Sequence, residues 1–485
     1  MKLVIGIDLG TTGVRSILYD ETLREIGEDY NEYPLIFSPD GFIEQDANLW
    51  WTLVKKSVVS ALAKSGKPGE DVAGICISSQ GISFLAVDGE CAPMMNAISW
   101  LDKRAVADAE DVLRHFSEKQ IYEITGKRTD SVYMLPKLLW LRRNKPDIFD
   151  NAAYFLMAHD FIVARLCGAY VTDYTMASGT MLFDINESSW SRTLLDSFAI
   201  DGGKLPTVCA AGSVAGTILP CVAEELGINA DTVVFVGGQD QKCAALGAGL
   251  SEGIATISLG TAAAISRKWL SPRFDEKMRI PCFSDIVKGC WVTEGVISTA
   301  ASSLKWLRDT FFPHKSYQEL DEMANGANTG DLLFYPLLSG ASSPHWHRDS
   351  CGCYYGFHLN TQPGEMIQAL FEGVAFQIRE NLEIMQGNES TIRSLRVFGG
   401  GARSKPWCQT IADITGLPVF MLNTAETACC GVAMLAGTGV GIFTSLSQAQ
   451  TVVSVAGRCD SNPQAKIMYD EKYEKYLAVE KKLWS

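Results

Sequence analysis

Two stretches of the chain end in the same kind of turn, about 250 residues apart. The first, Asp8-Leu9-Gly10-Thr11-Thr12-Gly13, closes the apolar run 2–8; the second is Ser258-Leu259-Gly260-Thr261-Ala262. Each run is rich in β-branched residues, and each turn leads into a second stretch, 14–19 or 263–266, able to pair back as a hairpin. Small-residue turns of this kind point N–H groups and hydroxyls outward and form a concavity for phosphate oxygens. Only the first copy carries an acid, Asp8, and a carboxylate beside a phosphate cradle suits a Mg²⁺ held between them. A lone copy would be read as a plain hairpin with a glycine turn. Two copies in corresponding places of two half-chains point instead to facing half-sites for one nucleoside triphosphate.

A chain of 485 residues, 47% of them hydrophobic, exceeds what one core usually serves, which predicts two domains. The midpoint falls after Gly237-Gly238-Gln239-Asp240, where the strand pattern restarts. The expected division is therefore 1–248 and 249–485. A net charge of −14, from 42 basic and 56 acidic residues, argues against nucleic acid or an anionic membrane as partner. No apolar run reaches the roughly 18 residues of a membrane span. Met1-Lys2-Leu3 enters a strand directly, without the apolar region of a secretory signal, so a cytoplasmic location is expected. The fourteen cysteines contain no CxxC pair and read as reduced thiols. Cys351-x-Cys353, near His345 and His347, fits no zinc template, and the six histidines are too dispersed for a histidine-based catalytic system.

Strand and helix patterns alternate, as in an α/β protein. Strands are expected at 72–78, 233–236, 255–259, 395–398 and 419–422. Helices are expected at 47–65, 103–116, 135–144, 158–166, 300–309, 366–387 and 428–436, from apolar residues at three- and four-residue spacing. The charge-rich tail 469–485 reads as a solvated terminal helix.

Further motifs extend along the chain in order. They include Glu44-Gln45-Asp46 ahead of Trp50-Trp51, 97–104, Lys137-Leu138-Leu139-Trp140, His159-Asp160-Phe161, Gly237–Gln241, Glu294-Gly295, Gly340-Ala341-Ser342-Ser343-Pro344, 369–375 and Phe398-Gly399-Gly400-Gly401-Ala402-Arg403-Ser404. In this the chain resembles the FGGY family of carbohydrate kinases, within the actin/Hsp70/sugar-kinase superfamily, and most of all the xylulose kinases. Met134 and Phe357 depart from the family pattern and look like packing substitutions. The resemblance implies two ribonuclease-H-like α/β domains flanking a deep cleft, ATP and Mg²⁺ as cofactors, a small sugar as substrate and a homodimer. No Walker A motif occurs.

Phosphoryl transfer to an alcohol needs a proton acceptor, a metal to neutralise phosphate charge and rigid alignment. Asp240, at the end of a predicted strand, is either the cap of the next helix or that acceptor; the resemblance implies the acceptor. Asp8 would organise Mg²⁺, or else stabilise its own turn. Gly10, Thr11 and Thr12 are expected at the terminal phosphates, and Gly260 and Thr261 at the inner ones. Gly400, Gly401 and Ser404 belong to the segment that resembles the family's adenine-binding turn. For the sugar, the expected contacts are Gln80, Gly81, Asp102, Tyr133, Asp240 and Gln241, with Arg104 beside them; Asp102 and Arg104 would otherwise cap a helix. Where glycerol kinases show Gln-Arg-Glu and xylulose kinases Gln-Met-His, this chain has Gln80-Gly81-Ile82. An isoleucine supplies no hydrogen bond to a polyol, so glycerol is disfavoured; the expected substrate is a ketopentose such as xylulose, with a tetrulose, a hexonate or another polyol as the alternatives. A regulatory or chaperone-like ATPase of the same superfamily is the reading from another class, and no separate peptide-binding domain supports it.

Overall fold

Leu3–Leu9 (β1) and Gly13–Tyr19 (β2) pair antiparallel with Leu9 opposite Val14, so Gly10-Thr11-Thr12 is the tip of a hairpin. This computed structural model describes residues 1–347, 349–386, 391–423 and 426–484. Glu25–Glu32 (β3) continues the meander, Val72–Ser79 (β4) and Val233–Gln239 (β6) lie parallel on the other side of β1, and Val214–Thr217 (β5) closes the edge beside β6. The sheet order is β5-β6-β4-β1-β2-β3.

The second sheet repeats this plan. Ile254–Leu259 (β7) and Ala263–Trp269 (β8) form its hairpin, and Trp291–Ile297 (β10), flanked by Cys282–Ser284 (β9), extends the antiparallel side. Ser394–Phe398 (β11) and Val419–Leu422 (β12) add in parallel beside β7, and Val455–Cys459 (β13) ends the sheet antiparallel. Hairpin, third antiparallel strand, two parallel strands and an antiparallel edge recur in the same spatial order. The repeated turn in the sequence is thus the visible part of a repeated ribonuclease-H-like sheet.

Each sheet is covered as its pattern dictates. Helix α1 (Ala47–Ser65) occupies the predicted span, capped by the Asp46 side chain and ended by left-handed Gly66. It packs across β2, β3 and β1 and buries Trp50, Trp51, Val54 and Val58 in the core of the first sheet. A smaller five-stranded sheet, drawn from segments on both sides of β4 between Ile36–Phe37 and Tyr154–Met157, builds its own core around Phe84, Leu135, Leu138 and Phe155. In the second half, α3 (Pro363–Gln386) is buried along most of its length. Gly387, expected at its end, lies outside the described residues.

The two halves meet through two helices. Asp240–Gly247 (α2) leaves β6, and Thr427–Gly439 (α4) packs against it and against β1 and β4. An added Cβ at Gly247 would lie 2.0 Å from the Thr427 carbonyl oxygen, and one at Gly431 would lie 2.0 Å from that of Cys243. Only glycine permits that approach of backbones. The division at 248/249 assigns residues 427–439 to the second half. Their apolar side nevertheless shares a core with Val4, Ile17, Cys76 and Phe235 of the first sheet. The helix is hydrophobic on nearly every face because it faces both halves.

The terminal helix α5 (Pro463–Trp484) is not merely solvated. Tyr469, Tyr473 and Tyr476 form a buried stripe, Tyr335 stacks on Tyr476 with ring centroids 4.4 Å apart, and Lys472 reaches Glu372 at 2.7 Å. Tyrosines at i, i+4 and i+7 carry this inward face, and the charges surrounding them mask it. Ser485 lies outside the described residues. All fourteen cysteines are free thiols, and among the described residues no helix is long and apolar enough to cross a membrane.

Replacing Gly431 by Ala forces the two connecting helices apart. We expect a loss of about 1–3 kcal/mol, as for overpacked cores, read as a lower thermal midpoint, together with reduced turnover. A midpoint equal to that of the parent would show that the helices do not meet as described.

Candidate active site

The carboxyl ends of β1, β4 and β6 lie side by side, with Asp8 opposite Ser78 and Ser78 opposite Gly238. This is the edge where parallel strands present groups to ligands. Asp8 Oδ1 accepts a 2.8 Å hydrogen bond from Ser78 Oγ. Burial raises its pKa and the Ser78 hydroxyl lowers it; with Glu426 also raising it and Arg15 lowering it, the net value is about 6.

The strand β6 then breaks register between Phe235 and Gly238. A Cβ on Gly237 would sit 1.8 Å from the Ile77 carbonyl oxygen, so the Gly237-Gly238 pair lets the chain turn toward the cleft. Two hydrogen bonds fix the turn: Gly237 N donates to His159 Nε2 at 3.0 Å, and Gln239 N donates to Thr175 Oγ1 at 2.8 Å. Thr175 in turn donates to Asp173 at 2.9 Å, and His159 Nδ1 meets Asp160 Oδ1 at 3.0 Å. His159 and the Asp173-Thr175 pair therefore hold this turn from beneath.

Asp240 is the first residue of α2, and Gln239 is its cap, accepting from Lys242 N at 3.3 Å. That removes the capping explanation for Asp240. Its Oδ1 accepts from Gln241 N at 2.7 Å and from the Gln239 side-chain amide. Burial and then the negative charge of Asp8 push its pKa up, partly opposed by the Gln241 bond and Lys242, to about 7. A carboxylate poised there is suited to take up a proton near neutral pH.

Asp240 opens into a cavity of about 440 Å³ between the halves. Thr11 of the first hairpin turn lines it on one side, and Gly260, Thr261 and Ala262 of the second line it on the other. Gly10 and Thr12 complete the first turn: Gly10 N bonds Gly13 O at 2.9 Å, and Thr12 O accepts from Tyr33 N at 3.0 Å. Gln80, Gly81, Ile82, Trp100 and Gln241 form the rest of the wall on the side of the first half. Ile82 holds φ at +72°, a left-handed conformation that is rare and strained for a β-branched residue.

Several expected residues sit otherwise. Asp102 is fully buried and lies outside the cavity lining: it receives Ile43 N at 2.6 Å and is clasped by Arg104, whose Nε is 2.8 Å away. Arg104 itself stacks on Phe42 and Trp140, at 4.1 and 4.8 Å, so the pair braces the smaller sheet. Tyr133 belongs to a neighbouring cavity of about 370 Å³ with Tyr122, Ser342 and Trp346. Ser404 caps the helix Lys405–Thr415 and donates to Asp321 at 2.7 Å, which leaves its hydroxyl engaged. Gly401 is buried, with a Cβ position 2.6 Å from Leu259 Cγ, whereas Gly400 is open to solvent at the edge of the second turn. Gly81 leaves no spare room, since a Cβ there would lie 2.9 Å from Gln239 Cγ. Gln80 is 1% exposed, with its amide bonded to Gln45 and Ser83.

Two residues of the cavity escape sequence reasoning. Lys242 Nζ pairs with Glu294 Oε2 at 2.7 Å and lies 3.9 Å above the Phe283 ring, with both charges nearly buried. A lysine in the apolar start of a helix, two positions after Asp240, was the available signal, but its partner lies 52 residues away. Trp100 is the other: its indole N–H donates to Thr11 Oγ1 at 2.9 Å, bringing a side chain of the first half's insertion onto the phosphate turn.

Comparison with known proteins agrees with this geometry. Residues 3–247 match the FGGY family of carbohydrate kinases, N-terminal domain, and residues 255–440 match the C-terminal domain of the same family. The chain is 31% identical over 453 residues to a xylulose kinase of Bacillus subtilis (strain 168), covering 92% of this chain and 90% of the relative. A ligand-bound xylulose kinase and a gluconate kinase, both from Lactobacillus acidophilus, each superpose with a TM-score of 0.94 at 26% identity. The first match covers 100% of this chain and 98% of the other, the second 99% and 98%.

The raised pKa of Asp240 has a consequence for stability. An unfolded Asp ionises near 4, whereas the folded group holds its proton up to about 7. Between those values rising pH favours the unfolded chain, and above about 7 the penalty is constant. In metal-free buffer Asp240→Asn should therefore raise the thermal midpoint more at pH 8 than at pH 5. An equal difference at both pH values would show that the Asp240 carboxyl is not destabilised by its surroundings.

Proposed function

Because the chain belongs to the FGGY family of carbohydrate kinases, and transfers phosphate from ATP to a hydroxyl of a small sugar, we propose that its substrate is a ketopentose of the xylulose type. The observation that carries the site assignment is that both hairpin turns and Asp240 line one cavity. Asp240 accepts the proton of the attacking hydroxyl, and the turn hydroxyls and N–H groups of Thr11, Thr12, Gly260 and Thr261 hold the phosphates. Gly400, with its open surroundings, lets a flat base approach the main chain.

Asp8 fits a hard cation. Its Oδ1 is taken by Ser78, Oδ2 has no protein partner among the described residues, and a carboxylate oxygen beside a phosphate cradle is the donor Mg²⁺ prefers. Bound there, Mg²⁺ would neutralise phosphate charge. The protein's own part is to orient both reactants and, by closing the cleft, to exclude water.

The cavity favours a neutral sugar over a sugar acid. Lys242 is the cation in its lining, and Glu294 already neutralises it, so a substrate carboxylate would meet a paired charge. Ile82 adds an apolar wall, which suits a substrate with a deoxy carbon or with one hydroxyl left to water. Fourteen free thiols support a cytoplasmic location, and the family resemblance supports a homodimer.

An ADP-release screen over ketopentoses, tetruloses, hexonates and alditols tests the substrate class. Turnover confined to hexonates would overturn the ketopentose assignment. On the best substrate Asp240→Asn should lower kcat by about 10²-fold or more while ATP still binds; near-normal turnover removes Asp240 from its role. Ile82→His introduces a donor, and one buried hydrogen bond is worth about 1 kcal/mol. The ratio of kcat/KM for D-xylulose to that for the preferred sugar should then rise several-fold, and a ratio that does not move places Ile82 outside the sugar contacts.

A further inference from the structure

Outside the catalytic cavity, three groups distant in sequence converge. His345 follows the Gly340–Pro344 segment, Glu380 lies on α3 and Glu480 on α5. His345 Nε2 is 3.0 Å from Glu380 Oε1 and 3.3 Å from Glu480 Oε2, and one donor atom from each of the three lies within 4.8 Å of the others. They line a cavity of about 330 Å³ together with His347, whose ring is nearly parallel to that of His345 at 6.5 Å.

Three observations together distinguish this cluster from a simple ion-pair triad. Glu480 is 7% exposed, yet its Oε1 is buried with no hydrogen-bond partner, an unusual state for a carboxylate oxygen. One imidazolium between two carboxylates leaves the cluster one negative charge in excess, whereas a divalent cation with a neutral imidazole balances it. The spacings also fit: ligands at about 2.0–2.1 Å from a tetrahedral ion stand roughly 3.3 Å apart.

We propose that His345, Glu380 and Glu480 bind one divalent cation of the zinc class, with a fourth position open to His347 or water. The mixed nitrogen and oxygen donor set selects a borderline ion over Mg²⁺. Cys351 and Cys353, the neighbouring thiols, are not in the cavity lining. The ion joins the C-terminal helix to the loop whose Ser342 hydroxyl meets Ser298 at 2.5 Å beside the cleft, so its effect is to fasten the end of the chain to the rim of the second half.

The remaining charged groups at the cavity are His347 and the exposed Lys481.

The test is a Zn²⁺ titration of the chelator-treated full chain in an Asp8→Ala background, which removes the carboxylate assigned to Mg²⁺ in the cleft. One ion per chain and a raised thermal midpoint are expected. His345→Ala and Glu480→Gln should each weaken binding at least tenfold and abolish the midpoint shift, while Cys351→Ser leaves both unchanged. Glu480→Gln is nearly isosteric and keeps the test readable if His345→Ala does not fold. Absence of stoichiometric binding, or binding that Glu480→Gln leaves intact, overturns the proposal.

Discussion

Two helix backbones in contact, α2 at Gly247 and α4 at Gly431, set the relation between everything else in the molecule. Asp240 is the first residue of one of these helices, and the other begins next to the strand that carries Asp8, where an added Cβ on Gly6 would lie 2.5 Å from the Cys429 carbonyl oxygen. The two carboxylates are thereby placed by the same junction that holds the halves together.

The junction also concentrates charge. Asp8, Asp240 and Glu294 are acidic groups in a partly closed space, offset by Lys242 on Glu294 and by Arg15 on Glu426 at 3.0 Å. Burial raises both Asp8 and Asp240 above ordinary carboxylates, and the charge of Asp8 adds to the shift at Asp240. That is unfavourable for the empty protein and would be relieved by the cation proposed to bind at Asp8, a stability cost of the kind expected at functional sites.

What was legible in the sequence was local. The hairpin turns, the 47–65 helix with its Asp46 cap, the parallel strands and the Asp240 turn depend on neighbours a few residues apart, and each appears at or within a few residues of its expected place. What was not legible depends on partners far along the chain. Asp102 is held by the backbone of Ile43, Ser404 by Asp321, and the small cavity near His345 by glutamates 35 and 135 residues away. The space beside Gly81 is filled by the side chain of Gln239, which comes from another strand. The helix at 427–439 was placed with its sequence neighbours, although its apolar faces were the sign that it has two.

The position of α4 reaches into the history of each newly made molecule. One face of the first sheet, with Val4, Ile17 and Phe235, is covered by residues 427–439, which leave the ribosome long after the sheet itself is complete. At translation rates of about 5–20 residues per second the gap is roughly 10–40 s. During that interval the amino-terminal half carries a bare apolar face, and its folding ends only once residues 427–439 have been made.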